Sequence, residues 1–364
     1  MGQNSTEVAY GFGQMGSIHI SGTTLTTSNG VTADPGVGEK AVFCAITFLE
    51  DTVFANSLAG LTPDPDNPQL FIGGTGRSGA TILIRLLSQH PDIFSIKWES
   101  QFIVAKNGLL DLVHSDKEVL KEKYKVFRNL MDSHWFERMV NEGAPNEYKA
   151  GLCANVSGKE LDAFYTKLES YIDDGVDLNS TELIRGLINI LFVRATQKEG
   201  ASRWCEKTPS NILAIDELYR IYPNMKFINI IRDGRDVISS IVTRKFWPVA
   251  SRKEFPNTLR FRGEQKPELV AEYWKTILEI GDKLASALPV KNYYELRLED
   301  LVNRKEETIK SLFDFLGHHP TEEILNFNLS KSNPGRWKDD LSHSEIRRIN
   351  EIIGPMMKKK GYSI

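Results

Sequence analysis

Cysteine is scarce. Cys44, Cys153 and Cys205 are the only three in 364 residues, too few and too irregularly spaced for a disulfide framework or a thiolate metal cluster. They fit a reducing compartment, as buried thiols. Charge of one sign is not in excess either. Lys plus Arg is 45 against 48 for Asp plus Glu, a net charge of −3. Whole-chain charge therefore gives no support for a nucleic-acid partner. The first basic residue is Lys40, so the positive start of a secretory signal is missing. The longest apolar stretch, Ala41 to Leu49, is broken by Thr47 and too short to span a bilayer. These absences predict a cytoplasmic protein with no transmembrane segment. No fixed-period repeat is present, which excludes a solenoid.

Some short patterns are present. Met1-Gly2-Gln3-Asn4-Ser5-Thr6 matches the myristoylation consensus at Gly2. Four glycosylation sequons begin at Asn4, Asn155, Asn179 and Asn328; without an entry signal they read as chance matches.

Composition shifts near residue 66. The first forty residues are rich in Gly, Ser and Thr. Gly16 to Ile20 and Val42 to Leu49 are β-prone, with turn signals at Ser28-Asn-Gly30 and Asp34-Pro-Gly36. Thr62 to Pro68 carries three prolines in seven residues and reads as a stiff linker. Residues 1–66 are thus expected to be a β-rich module or arm, open to a role in oligomerisation or assembly, and residues 67–364 a separate domain.

From Gln69 onward strand and helix patterns alternate. Gln69 to Gly73 and Lys226 to Ile231 read as buried strands, and Tyr293 to Leu298 as a third. Helical spacing runs over Thr81 to Gln89, much of 104–176, Pro267 to Leu288 and Lys305 to Leu316. This order predicts an α/β fold, a parallel sheet flanked by helices.

Two motifs carry chemistry. Gly74-Thr-Gly76-Arg77-Ser78-Gly79-Ala80-Thr81 links the first strand to its helix, where glycines let backbone approach an anion and a helix N-terminus offers free N–H groups. Aligned on the nucleoside-triphosphate P-loop, Ala80 stands where lysine neutralises β/γ-phosphate charge. That argues against a P-loop kinase of nucleotides or small molecules. Arg77 instead lies inside the loop. The second motif begins at Arg232, at a strand end. Ser240 follows eight residues on and Arg244 one helical turn later. Arginine forks suit phosphate oxygens, and the carboxyl ends of neighbouring parallel strands are where such folds bind ligands.

Together these residues resemble the sulfotransferases that use 3′-phosphoadenosine-5′-phosphosulfate (PAPS), and in pattern the tyrosylprotein sulfotransferases and their bacterial relatives, over roughly residues 69–364. The resemblance implies a P-loop-type nucleotide-binding sulfotransferase fold. It implies that Gly76, Arg77, Ser78, Gly79, Ala80 and Thr81 hold the 5′-phosphosulfate and that Arg232, Ser240 and Arg244 hold the 3′-phosphate. It casts Glu99 as the general base that removes the acceptor's hydroxyl proton, with Lys207, in Glu206-Lys-Thr-Pro209, and Arg77 neutralising charge on the sulfonate. Lys331 and Arg336 belong to a C-terminal segment, Gly335-Arg-Trp-Lys338, that closes over the donor. The product is the bisphosphate PAP, and no metal is implied. Two positions depart from the family: Ala80 replaces a threonine, and Leu298 stands where a tyrosine contacts the adenine. The implied acceptor is a hydroxyl of a peptide, glycan or small molecule. The basic, aromatic segment Lys245 to Lys266 and the helical region 104–200 are expected to shape its cleft. A silent binding protein on the same fold is the other alternative to a kinase.

Overall fold

The computed structural model describes residues 18–21, 24–27, 32–33, 68–96, 99–100, 102–132, 155–244, 266–330 and 332–364. The chain divides into two compact units, Met1–Thr62 and Pro63–Ile364. In the first, β1 (Ile18–Ser21), β2 (Thr24–Thr27) and β3 (Thr32–Ala33) form an antiparallel sheet. The expected strand over Val42 to Leu49, both turns and all but Pro68 of the linker lie outside the described residues.

The second unit begins with β4 (Leu70–Gly74), α1 (Ala80–Leu87) and β5 (Ile93–Ser95). A helical stretch follows: α2 (Leu109–Val113), α3 (Leu120–Leu130), α4 (Gly158–Asp173) and α5 (Thr181–Lys198). Next come β6 (Arg203–Lys207), a 3-10 turn (Pro209–Leu213), α6 (Ile215–Ile221), β7 (Lys226–Ile231) and α7 (Gly234–Arg244). The chain continues through α8 (Pro267–Ala285), β8 (Tyr293–Arg297), α9 (Leu298–Asn303) and α10 (Lys305–Leu316). It ends with α11 (Glu322–Leu325), α12 (Trp337–Asp340) and α13 (His343–Lys359).

The five strands of this unit are all parallel, in the order β5-β6-β4-β7-β8. β4 is central, and the chain reaches β6 on one side of it and β7 on the other. Alternation along β4 serves both faces. Leu70 and Ile72 pack with Leu83, Leu87, Leu312 and Phe313 from α1 and α10. Phe71 points the other way, edge-on to Trp204 with ring centroids 5.2 Å apart, and Trp204 meets Phe192 of α5. Trp274, Ile277 and Leu278 of α8 are buried, the side its spacing marked as apolar.

Local signals set the helix ends. Ser157 with Glu160 and Ser342 with Glu345 form reciprocal capping boxes on α4 and α13. Gly317 ends α10 in the left-handed region at φ 75. β8 stops one residue short of its expected end, because Leu298 turns into α9. β5 and β6 carried no clear strand signal. β6 reads Arg-Trp-Cys-Glu-Lys, yet all five residues are buried.

Candidate active site

The loop from β4 to α1 is held in an uncommon backbone conformation. Gly74 (φ 157) lies so close to β7 that a Cβ there would sit 2.6 Å from the Ile230 carbonyl oxygen. At Gly79 (φ 100) a Cβ would meet Leu298 Cδ1 at 2.8 Å. Arg77 adopts φ 55 without being glycine, a conformation costing on the order of 1–2 kcal/mol. Its side chain crosses to α7, where its Nε donates to Ser240 Oγ at 3.1 Å. Ser78 is buried, and its Oγ has no hydrogen-bond partner among the described residues. Tyr273 of α8 donates its hydroxyl to the Thr75 carbonyl at 3.0 Å.

At the end of β7, Arg232 Nη1 donates to the Arg77 carbonyl at 3.4 Å and Nη2 to the Asn333 carbonyl at 2.7 Å. Nη2 also lies 3.3 Å from Asp236 Oδ2, while the buried Nε has no partner among the described residues. Asp236 is itself buried and accepts the N–H groups of Gly335 (2.7 Å) and Trp337 (3.0 Å). One carboxylate thus orients Arg232 and fastens the C-terminal segment to α7. Arg336 continues that fastening, donating to Asp340 at 2.6 Å and Thr243 at 3.1 Å, and Ser239 donates to Asp340.

At the end of β6, Lys207 Nζ donates to Glu99 Oε1 at 3.1 Å; Lys207 is 2% exposed and Glu99 34%. Register sets Lys207 beside Ile72 of β4, three residues before the loop begins at Thr75. Burial pushes the Tyr273 hydroxyl up, and the Glu99 charge adds to the shift. Tyr273 therefore contacts the loop while lying within electrostatic reach of Glu99. Beneath the pair is Glu206, fully buried, which accepts from Ser100, Thr208 and Asn211.

The structure thus brings Arg77, Ser78, Gly79, Arg232 and Ser240 together at the carboxyl ends of β4 and β7, and Glu99 with Lys207 at the adjacent end of β6. Gly76 lies in the loop at φ 72, and Ala80 and Thr81 open α1. Arg244 ends α7, and its side chain, with Lys331 and residues 245–265, lies outside the described residues. Arg336 is engaged by Asp340 and Thr243, a turn beyond Ser240. Leu298 is buried against the loop, and Tyr294, at the other end of β8, donates to Ser311 at 3.0 Å. Ser100, Asn211, Tyr273 and Asp236 were not anticipated; nothing in their spacing distinguishes them from ordinary core polar groups. His90, Asp92 and His318 gather at the far end of α1, where the Asp92 N–H donates to His90 Nδ1 at 3.2 Å and burial, helped by the Arg203 charge, holds the His318 imidazole below its ordinary value.

The model of the sulfotransferase family matches residues 68–322, and the chain belongs to that family. A putative protein-tyrosine sulfotransferase of Caenorhabditis briggsae is 25% identical over 315 residues, covering 80% of this chain and 88% of that one. Protein-tyrosine sulfotransferase 2 of Gallus gallus is 24% identical, covering 79% of this chain; the match spans 61% of the chicken protein. Among solved structures, the sulfotransferase domain from the curacin biosynthetic pathway is 18% identical, covering 82% of this chain and 99% of that one, with a TM-score of 0.47. Among the described residues no helix is long and apolar enough to cross a membrane.

Proposed function

We propose that the protein transfers a sulfonate group from PAPS to an acceptor hydroxyl, with Glu99 as general base. The observation that carries this reading is the interlock of the two arginine-bearing motifs: Arg77 reaches Ser240 and Arg232 reaches the Arg77 carbonyl. Anion-binding groups at both ends of one crevice suit a donor phosphorylated at two places. The buried Ser78 Oγ and Arg232 Nε, unpartnered among the described residues, are polar atoms whose desolvation needs compensation. A loop with no room for Cβ atoms at Gly74 and Gly79 suits close backbone approach of a phosphate.

In the proposed reaction the acceptor oxygen forms a bond to sulfur as the bond from sulfur to the phosphate's bridging oxygen breaks. That electron pair leaves with the phosphate, and PAP is the product. Glu99 takes the hydroxyl proton. Lys207 and Arg77 stabilise charge on the sulfonate and bridging oxygens by fixed electrostatics. Arg232 and Ser240, with Arg244 beside them in sequence, set the donor's register. Arg336 and Lys331 act from the C-terminal segment. No metal enters this scheme.

The acceptor we propose is a tyrosine side chain of a polypeptide. Its support is the similarity to protein-tyrosine sulfotransferases and the chemistry of the base. A phenol ionises near pH 10, far closer to a carboxylate's reach than an aliphatic alcohol. The test is a labelled-sulfonate assay with tyrosyl peptides, glycans and small phenols, alongside thermal melting. Adenosine 3′,5′-bisphosphate at one hundred times Kd should add ~2.7 kcal/mol of stability, and ATP with magnesium none. Stabilisation by ATP alone would instead favour a kinase. Bisphosphate binding with no transfer to any acceptor would leave a silent binding protein.

A further inference from the structure

We propose that Glu206 is a positioning residue for this reaction: its buried carboxyl ties the Glu99 segment to the Lys207 strand and to the turn that follows it. The inference rests on the sulfonate-transfer reading of the site. Glu206 and Lys207 are neighbours on β6, so their side chains leave opposite faces of the sheet. Glu206 cannot touch a substrate in the crevice by way of solvent, since it is fully buried.

Three residues donate to it, and one of them carries the link on to β4. Oε1 accepts from Ser100 Oγ at 2.7 Å and from Thr208 Oγ1 at 2.6 Å. Oε2 accepts from Asn211 Nδ2 at 2.6 Å, and the same amide nitrogen donates to the Ile72 carbonyl of β4 at 3.1 Å. Ser100 also accepts the Phe102 N–H at 3.3 Å, which directs its own proton to Glu206. Ser100 is the residue after Glu99, so the carboxylate fixes the backbone that presents the base. It also pins the 3-10 turn that follows Lys207.

Burial pushes the Glu206 carboxyl above its ordinary value, and the bonds from Asn211, Thr208 and Ser100 and the charge of Lys207 only partly offset that rise. The tether rests on these contacts and not on the charge of Glu206.

Ser100→Ala and Glu206→Gln in the full chain test this. Ser100→Ala removes one tether and almost no volume. It should lower kcat by about 100-fold, the usual penalty of a base misplaced by about 1 Å, with acceptor KM and bisphosphate affinity within about twofold. Ser100→Thr, which keeps the hydroxyl, should recover most of kcat. Glu206→Gln, which replaces one accepting oxygen by a donor, should lower kcat in the same way, with acceptor KM and bisphosphate affinity within about twofold. A Ser100→Ala kcat close to that of the parent overturns the tether. If Glu206→Gln does not fold, Ser100→Ala with Ser100→Thr decides. A parent protein that transfers no sulfonate overturns the functional reading, and the positioning role with it; a competent parent with unaffected variants overturns the positioning role alone.

Discussion

Glu99 and Lys207 form a pair with unequal surroundings. The lysine is almost wholly buried and the glutamate is one-third exposed. A base must be reached by its substrate, whereas a cation that stabilises developing charge acts best where water is excluded. Glu99→Gln keeps the shape and removes the basicity. Turnover should fall by about 10²–10⁴-fold while bisphosphate affinity in calorimetry stays that of the parent; normal turnover would unseat the base. Gly79 is the other residue on which the site turns. Alanine there would adopt φ 100 and press on Leu298, a strain of roughly 1–2 kcal/mol. Gly79→Ala should weaken bisphosphate binding by about tenfold or more, and equal affinity in the two proteins would show that the loop has room to spare.

At the scale of elements, α7 joins the two halves of the crevice. Its Ser240 holds Arg77, its Asp236 holds Arg232, and the same Asp236 fastens the segment before α12. Asp236→Asn should weaken bisphosphate binding by about tenfold, since hydrogen bonds to a charged group contribute ~1.5–3 kcal/mol each. It should also speed amide hydrogen exchange at Gly335 and Trp337. Exchange unchanged at both amides would mean that the segment is held by other contacts. Asp340 adds a pH dependence. The Ser239 hydrogen bond, opposed by burial and helped by Arg336, holds its carboxyl below its ordinary value. An acid whose folded pKa lies below its unfolded one contributes stability above the unfolded pKa, near 3.8. That contribution disappears as pH falls through the lower, folded value. Melting between pH 5 and about pH 3 should therefore be less acid-sensitive in Asp340→Asn than in the parent; parallel melting curves would deny Asp340 a part in acid stability.

At the scale of the whole molecule, the strand order β5-β6-β4-β7-β8 makes β4 the point from which the chain goes to β6 on one side and β7 on the other. A crevice opens at the carboxyl ends where neighbouring connections diverge to opposite sides. That is where the loop after β4, Arg232 after β7 and Lys207 at the end of β6 all arrive. Pro63–Ile364 contains a large hydrophobic core of its own. Removing Met1–Thr62 should leave a folded protein that melts within a few degrees of the parent and still binds the bisphosphate, by scanning fluorimetry and calorimetry. Loss of either property would make the first unit part of the catalytic body.

Much of this was legible from the residues alone, because it rests on local rules. The apolar runs of β4 and β7, the stop at His90-Pro91 after α1, the glycine that ends α10 and the spacing from Arg232 to Ser240 are all short-range features of the chain. β6 was not legible as a strand. Arginine, glutamate and lysine in five residues look like surface, and they are buried only because partners far along the chain pair with them. Arg203 donates to the Leu316 and Pro68 carbonyls, Glu206 collects three donors, and Lys207 meets Glu99. The same holds for Ser100, Asp236 and Tyr273, each an ordinary polar residue until folding carries it to a distant partner. Residue order determined which side chains could bind an anion or take a proton. Tertiary packing decided which of them share a crevice, since a hydrogen bond across a hundred residues depends on how strands stack rather than on what lies next in the chain.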